Sequence, residues 1–241
     1  MSDPATKKLI VALDVETAQR ARELFSSLRD VAALFKIGMQ LFTAVGPTIV
    51  SEIIASGGRV FLDLKYHDIP NTVAAAGVEA ARLGVAIFNI HASGGAEMMR
   101  RTADAVAGVS EREGLTRPQV IGVTLLTSAN ATVLAEIGVM KNPEQQVIAL
   151  AQLAAASGLD GVVASPHEVA MIRAAVTPER FLIVTPGVRP SGTAEHDQKR
   201  LMTPAEAIRS GSDYLVVGRP IIDAADPVAA ARQIVEEMDA A

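Results

Sequence analysis

Asp63, Lys65 and Asp68 stand at Asp-x-Lys-x-x-Asp spacing in the run Asp63-Leu64-Lys65-Tyr66-His67-Asp68-Ile69-Pro70-Asn71-Thr72. The run follows Val60-Phe61-Leu62, an apolar stretch that reads as a strand. Side chains alternate in a strand, so Phe61, Asp63 and Lys65 share one face and Val60, Leu62 and Leu64 the other. Opposite charges side by side at the end of a buried strand are costly unless paired, and they mark a structural ion pair or a working site. Asp14 and Lys36 end two earlier apolar runs, Ala12-Leu13-Asp14 and Phe35-Lys36-Ile37-Gly38. Brought together, Asp14, Lys36, Asp63 and Lys65 would alternate in sign and hold one another ionised. Four charges on three successive strand ends exceed what a stabilising network needs, which favours a site.

Other chemistry-bearing residues carry two readings. Asp68 serves as a loop carboxylate or as a cap or turn residue before Pro70. Asn71 and Thr72 open a helix and either contact a ligand or cap. His67 and His91 are acid–base candidates by type, but neither has a partner at metal-ligand spacing; packing or loop roles fit them better. Near the end of the chain, Thr185-Pro186-Gly187-Val188-Arg189-Pro190 and Gly218-Arg219-Pro220 each follow an apolar run. Gly218 would let backbone N–H groups approach an anion, and Arg219 offers a charge-assisted fork. Gln198 lies in the long segment after the first of these loops, a length often given to lids.

The elements that must hold these groups are short β-branched runs separated by Ala/Arg/Glu-rich segments of helical spacing. The expected strands are Leu9–Val15, Leu34–Gly38, Arg59–Lys65, Ile87–His91, Val120–Leu126, Gly161–Ser165, Phe181–Thr185 and Tyr214–Gly218. Expected crossover helices include Thr17–Leu28, Thr72–Leu83, Pro143–Ser157 and Pro204–Ser210. Eight such units without a linker predict an α/β fold, a single (β/α)8 barrel spanning residues 1–241. An open doubly wound sheet is the rival, but no Gly-x-Gly-x-x-Gly follows the first strand. Phasing each strand back from its terminal polar residue gives inward sets. They are Ile10/Ala12/Asp14, Leu34/Lys36/Gly38, Phe61/Asp63/Lys65, Ile87/Asn89/His91, Val123/Leu125/Thr127, Val163/Ser165 and Ile183/Thr185/Gly187. The polar members gather at the C-terminal mouth, where barrels of this kind place chemistry and hold phosphate after strands seven and eight.

Composition narrows the function classes. Hydrophobic residues make up 49% of the 241, Trp and Cys are absent, and the net charge is −5. No aromatic platform or basic footprint suggests nucleic acid. The absence of Cys excludes disulfides, thiolate metal sites and a cysteine nucleophile. Neither a signal-peptide core nor a bilayer-length apolar stretch is visible, so no membrane partner is expected and the cytoplasm is the default.

Taken together, these motifs resemble the orotidine 5'-phosphate decarboxylase family, in its compact bacterial form. Its Asp-x-Lys-x-x-Asp-Ile-Pro-Asn-Thr is Asp63 to Thr72, and its strand-one Asp and strand-two Lys are Asp14 and Lys36. Its Leu-Thr-Ser is Leu126-Thr127-Ser128. Thr185 to Pro190, Asp197-Gln198 and Gly218 to Pro220 complete a set that runs in order along nearly the whole chain. The resemblance implies cofactor-free, metal-free conversion of orotidine 5'-phosphate to uridine 5'-phosphate and CO2 in pyrimidine biosynthesis. It implies that Lys65 protonates C6 beside Asp63, with Asp68 and Lys36 also catalytic. Asp14 and Lys36 would bind ribose; Thr127 and Ser128 would face the pyrimidine and ribose; Arg189, Gln198, Gly218 and Arg219 would enclose the phosphate. Ile69, Pro70, Thr72 and Pro186 carry over as further substrate-contacting positions. Asp68 and Ile69 would enter the partner's site in a homodimer with shared active sites. Metal-dependent sugar-phosphate lyases share Asp-x-Lys-x-x-Asp but carry an acidic residue where Lys36 stands.

Overall fold

Eight strands begin every βα unit of the chain: β1 Leu9–Ala12, β2 Leu34–Gly38, β3 Val60–Tyr66, β4 Ile87–His91, β5 Gln119–Val123, β6 Gly161–Val163, β7 Leu182–Pro186 and β8 Tyr214–Val217. In the computed structural model they pair in parallel, each with the next, and β8 returns to β1 to close the barrel. The structure describes residues 5–177, 180–190 and 202–241. Gln198 lies outside the described residues.

Between the strands run α1 Ala18–Leu28, α2 Met39–Val45, α3 Thr48–Ala55, α4 Pro70–Arg82, α5 Gly95–Glu113, α6 Ala131–Glu136, α7 Pro143–Ala156, α8 Val169–Ala175, α9 Pro204–Arg209, α10 Arg219–Ile222 and α11 Pro227–Asp239. Local chemistry sets several starts. Asn142, Thr203 and Asp226 each accept a backbone N–H of the first turn while proline occupies the first helical position. Such a cap satisfies an orphan donor, and proline has no N–H to lose there. α4 and α5 lie close because Gly77 has no side chain; a Cβ there would meet Phe88, Thr102 and Val106 at 3.1 Å.

The apolar residues divide into two layers, as alternation along buried strands requires. Leu9, Val11, Phe35, Ile37, Leu62, Phe88 and Ile90 face outward to the helices. Ile10, Ala12, Leu34, Phe61, Ile87, Ile121, Val184 and Val216 fill the barrel interior.

Two sequence expectations need correction. β7 is in the opposite phase: Val184 packs inside, while Ile183 belongs to the outer layer. Thr185 is wholly buried on that outer side, its hydroxyl sharing a 2.8 Å hydrogen bond with Ser212. A satisfied buried hydroxyl mimicked a mouth residue. In addition, β1, β5 and β6 end two or three residues early, at Ala12, Val123 and Val163. Asp14, Thr127 and Ser165 therefore sit on loops. Ser165 forms a capping box with Glu168 on the next helical turn instead of lining the mouth.

Candidate active site

The C-terminal mouth of the barrel opens into a cavity of about 460 Å³, a size suited to a nucleotide-sized ligand. Its charged wall comes from the loop after β1 and from β2 and β3. Lys36 Nζ, on a side chain 10% exposed, lies 2.8 Å from Asp14 Oδ1 and 3.3 Å from Asp63 Oδ2. Lys65 Nζ lies 2.6 Å from Asp63 Oδ1. The four expected charges thus form one alternating row, Asp14–Lys36–Asp63–Lys65. Each buried charge has an opposite neighbour, which offsets the cost of taking it from water. Gly38 makes room for the row: a Cβ there would stand 2.9 Å from Lys36 Nζ and 3.1 Å from Asp14 Oδ1.

Lys65 does not arrive by simple alternation. Its φ is 52°, which no other non-glycine residue among the described residues matches in sign. The β3–β4 register shifts between Leu62 and Tyr66 around it. A left-handed lysine costs about 1–2 kcal/mol, and such strain persists where the surroundings impose it. Asn89 on β4 is fully buried beside it. Its Oδ1 accepts from Lys65 N at 2.8 Å and its Nδ2 donates to Asp63 Oδ1 at 2.6 Å.

The adjoining wall comes from the loops after β7 and β8, with Gly218 beside Asp14. Pro186, Gly187, Arg189, Gly218 and Arg219 line it. Burial and the nearby Arg219 charge both lower the pKa of Arg189. Two guanidiniums on one wall are a place for an anion. Thr127, Leu125 and Leu126 from the β5 loop, with Phe61, Val123, Val163 and Ala164, form an apolar side between the two walls.

Of the expected site residues, Asp14, Lys36, Asp63, Lys65, Thr127, Pro186, Arg189, Gly218 and Arg219 share this cavity. Ser128 is exposed and outside its lining. Asp68, Ile69, Pro70 and Thr72 also lie outside it: Ile69 caps α4, Pro70 begins it, and Ile69 is 67% exposed. Asp68 Oδ1 accepts the Ile69 N–H at 2.6 Å. The His67 and His91 rings lie 5.4 Å apart. Burial, then the charges of His67 and Lys65, lower the pKa of His91, with Asp63 opposing. Sequence reasoning phased Asn89 inward but gave it no role. The signal was an amide in the middle of an otherwise apolar buried strand.

A sequence model of the orotidine 5'-phosphate decarboxylase / HUMPS family matches residues 7–234. The chain belongs to this family. Among relatives of the decarboxylase / HUMPS family, the orotidine 5'-phosphate decarboxylase of Geobacter sulfurreducens is 53% identical over 236 residues, 98% of each chain. That of Syntrophotalea carbinolica is 55% identical over 237 residues, 98% of this chain and 97% of the relative. The solved orotidine 5'-phosphate decarboxylase of Lactobacillus acidophilus superposes with a TM-score of 0.85 at 37% identity, covering 96% of this chain and 99% of that one.

Proposed function

We propose that this chain is a carboxy-lyase that converts orotidine 5'-phosphate to uridine 5'-phosphate and CO2 in pyrimidine biosynthesis. The observation that carries this reading is that the alternating charge row and the two arginines line one cavity. The lining holds four cations, Lys36, Lys65, Arg189 and Arg219, against two anions, Asp14 and Asp63. The excess of two positive charges suits a phosphate dianion, so a further substrate carboxylate enters without a matching cation.

The reaction leaves an electron pair on C6 as the C6–carboxylate bond breaks and CO2 departs. Asp63 beside that carboxylate disfavours the ground state by like charge. Lys65 favours the developing carbanion and donates its proton to C6, becoming a neutral amine that solvent recharges. Fixed charges need no reorganisation during the step, which is where large accelerations arise. Lys36 and Asp14 hold ribose hydroxyls and keep the row in place. Thr127 and Ser128 approach the pyrimidine and ribose, and Pro186, Arg189, Gln198, Gly218 and Arg219 grip the phosphate. Binding energy gathered there, far from C6, is available to complete the site.

The chain works as a homodimer in which Asp68 and Ile69 of each protomer, with Pro70 and Thr72 behind them, reach the other's cavity. Their exposure, and their position directly after Lys65 yet outside their own cavity, support this. Chemistry without a metal is proposed because the mouth carboxylates are each occupied by a lysine. Among the described residues no three His, Asp or Glu side chains group to hold an ion, and no helix is long and apolar enough to cross a membrane. The cytoplasm is the proposed compartment. The test is loss of absorbance as purified protein consumes orotidine 5'-phosphate, with and without exhaustive chelation. The rate should be the same in both; activity that returns only with added metal would move the chain toward sugar-phosphate chemistry.

A further inference from the structure

We propose that Asn89 is the positioning residue that sets the reactive geometry of Lys65 and Asp63 together. The proposal rests on the decarboxylase reading and deepens it. Asn89, on β4, is not among the residues that line the cavity. It acts through the two residues that do.

The argument begins with what the backbone at Lys65 lacks. A left-handed residue at a register shift cannot give its N–H to the neighbouring strand in the ordinary ladder. Here that N–H goes to Asn89 Oδ1 at 2.8 Å. The same amide gives Nδ2 to Asp63 Oδ1 at 2.6 Å, the very oxygen that receives Lys65 Nζ. One side chain therefore closes a ring: Lys65 backbone, Asn89 amide, Asp63 carboxylate, Lys65 ammonium. The amide orientation is forced, because a flipped Asn89 would aim a donor at the Lys65 N–H and an acceptor at a carboxylate.

Only asparagine suits this place. The site needs one acceptor and one donor, a short distance apart, on a side chain short enough for a fully buried position. Aspartate has the acceptor but would set a second carboxylate against Asp63. Leucine has the volume and neither group. Glutamine is a carbon too long for a packed interior. Buried polar atoms persist where both are satisfied, and here the satisfaction falls wholly on the two reacting residues.

The experiment compares wild type with Asn89→Leu and Asn89→Asp by crystal structure, by kcat, and by the inhibition constant of uridine 5'-phosphate. In Asn89→Leu, Lys65 should leave the left-handed region and its ammonium should part from Asp63. A displacement of that size should lower kcat by roughly 10²-fold while nucleotide affinity shifts by less than about threefold. In Asn89→Asp, the backbone bond should survive and Lys65 should keep its positive φ. The Asp63 carboxylate should swing away, with kcat again reduced. If Asn89→Leu does not fold, Asn89→Asp decides alone. The proposal is overturned if either variant keeps the Asp63–Lys65 contact with kcat near wild type, or if kcat and nucleotide affinity fall by the same factor. Absence of turnover by wild type would sink the decarboxylase reading instead, and the variant structures would still decide what Asn89 holds.

Discussion

The two arginines should contribute unequally, and the structure says which way. Arg189 is partly buried, and Arg219 is exposed. Burial and the Arg219 charge both push the Arg189 pKa down. A guanidinium remains protonated, so the burden is a standing cost that a phosphate dianion bound between the two groups, as proposed, would relieve. A hydrogen bond to a charged group contributes about 1.5–3 kcal/mol. Arg219, screened by solvent, belongs at the lower end, so Arg219→Ala should reduce kcat/KM by roughly tenfold. Arg189 belongs at the upper end, and Arg189→Ala should cost roughly 150-fold. The assay is kcat/KM on orotidine 5'-phosphate and on orotidine, which lacks the phosphate. The losses should fall on the phosphorylated substrate alone, and added salt should shrink the Arg219 effect more. Equal losses on both substrates, or a larger loss for Arg219→Ala than for Arg189→Ala, would refute the reasoning.

Lys65→Ala should abolish turnover while uridine 5'-phosphate still binds; near-normal turnover would remove Lys65 as proton donor. Mixing Lys65→Ala and Asp68→Ala chains under exchange conditions should restore activity toward about a quarter of wild type, because random pairing puts both lesions in one site of each heterodimer and leaves the other intact. No recovery, with exchange verified separately, would place Asp68 in its own chain's site. The lowered pKa of His91 means the unfolded chain binds a proton first as pH falls through the ordinary 6.5. Stability should therefore drop on acidification below that value, ahead of the loss from the lowered carboxylates Glu52, Glu113 and Glu206. Thermal melts of His91→Gln should show a flatter profile in that window.

Much of this was readable from residue order because parallel barrels leave strong marks. Buried strands are continuous apolar runs, so a charge such as Lys36 or Asp63 stands out and falls at the mouth. The failures share a cause: alternation describes where a side chain points, not what satisfies it. Thr185 was polar and near a strand end, yet Ser212 satisfied it on the helix side. Ser165 was in phase but caps a turn. Lys65 reached the expected place through a left-handed backbone that no periodicity encodes. Asn89 was placed on the right face, but its importance lies in two hydrogen bonds to residues 24 and 26 positions away, a pairing set by register alone. Asp68 and Ile69 are exposed and lie outside the cavity; periodicity gave them no role, and only the resemblance supplied one.

The dry layer beneath the charge row has a consequence for traffic. Ile10, Leu34, Ile87, Ile121 and Val184 fill the barrel interior with apolar side chains, and the charged cavity lies at its mouth. On the proposed reaction, nucleotide, carbon dioxide and the proton that recharges Lys65 would all pass through that mouth. A nucleotide filling the mouth would stand between bulk water and the Lys65 amine, which lines the same cavity. On the proposed reaction, the proton delivered to C6 would be the one Lys65 carried in, and rearming would wait on departure of the product.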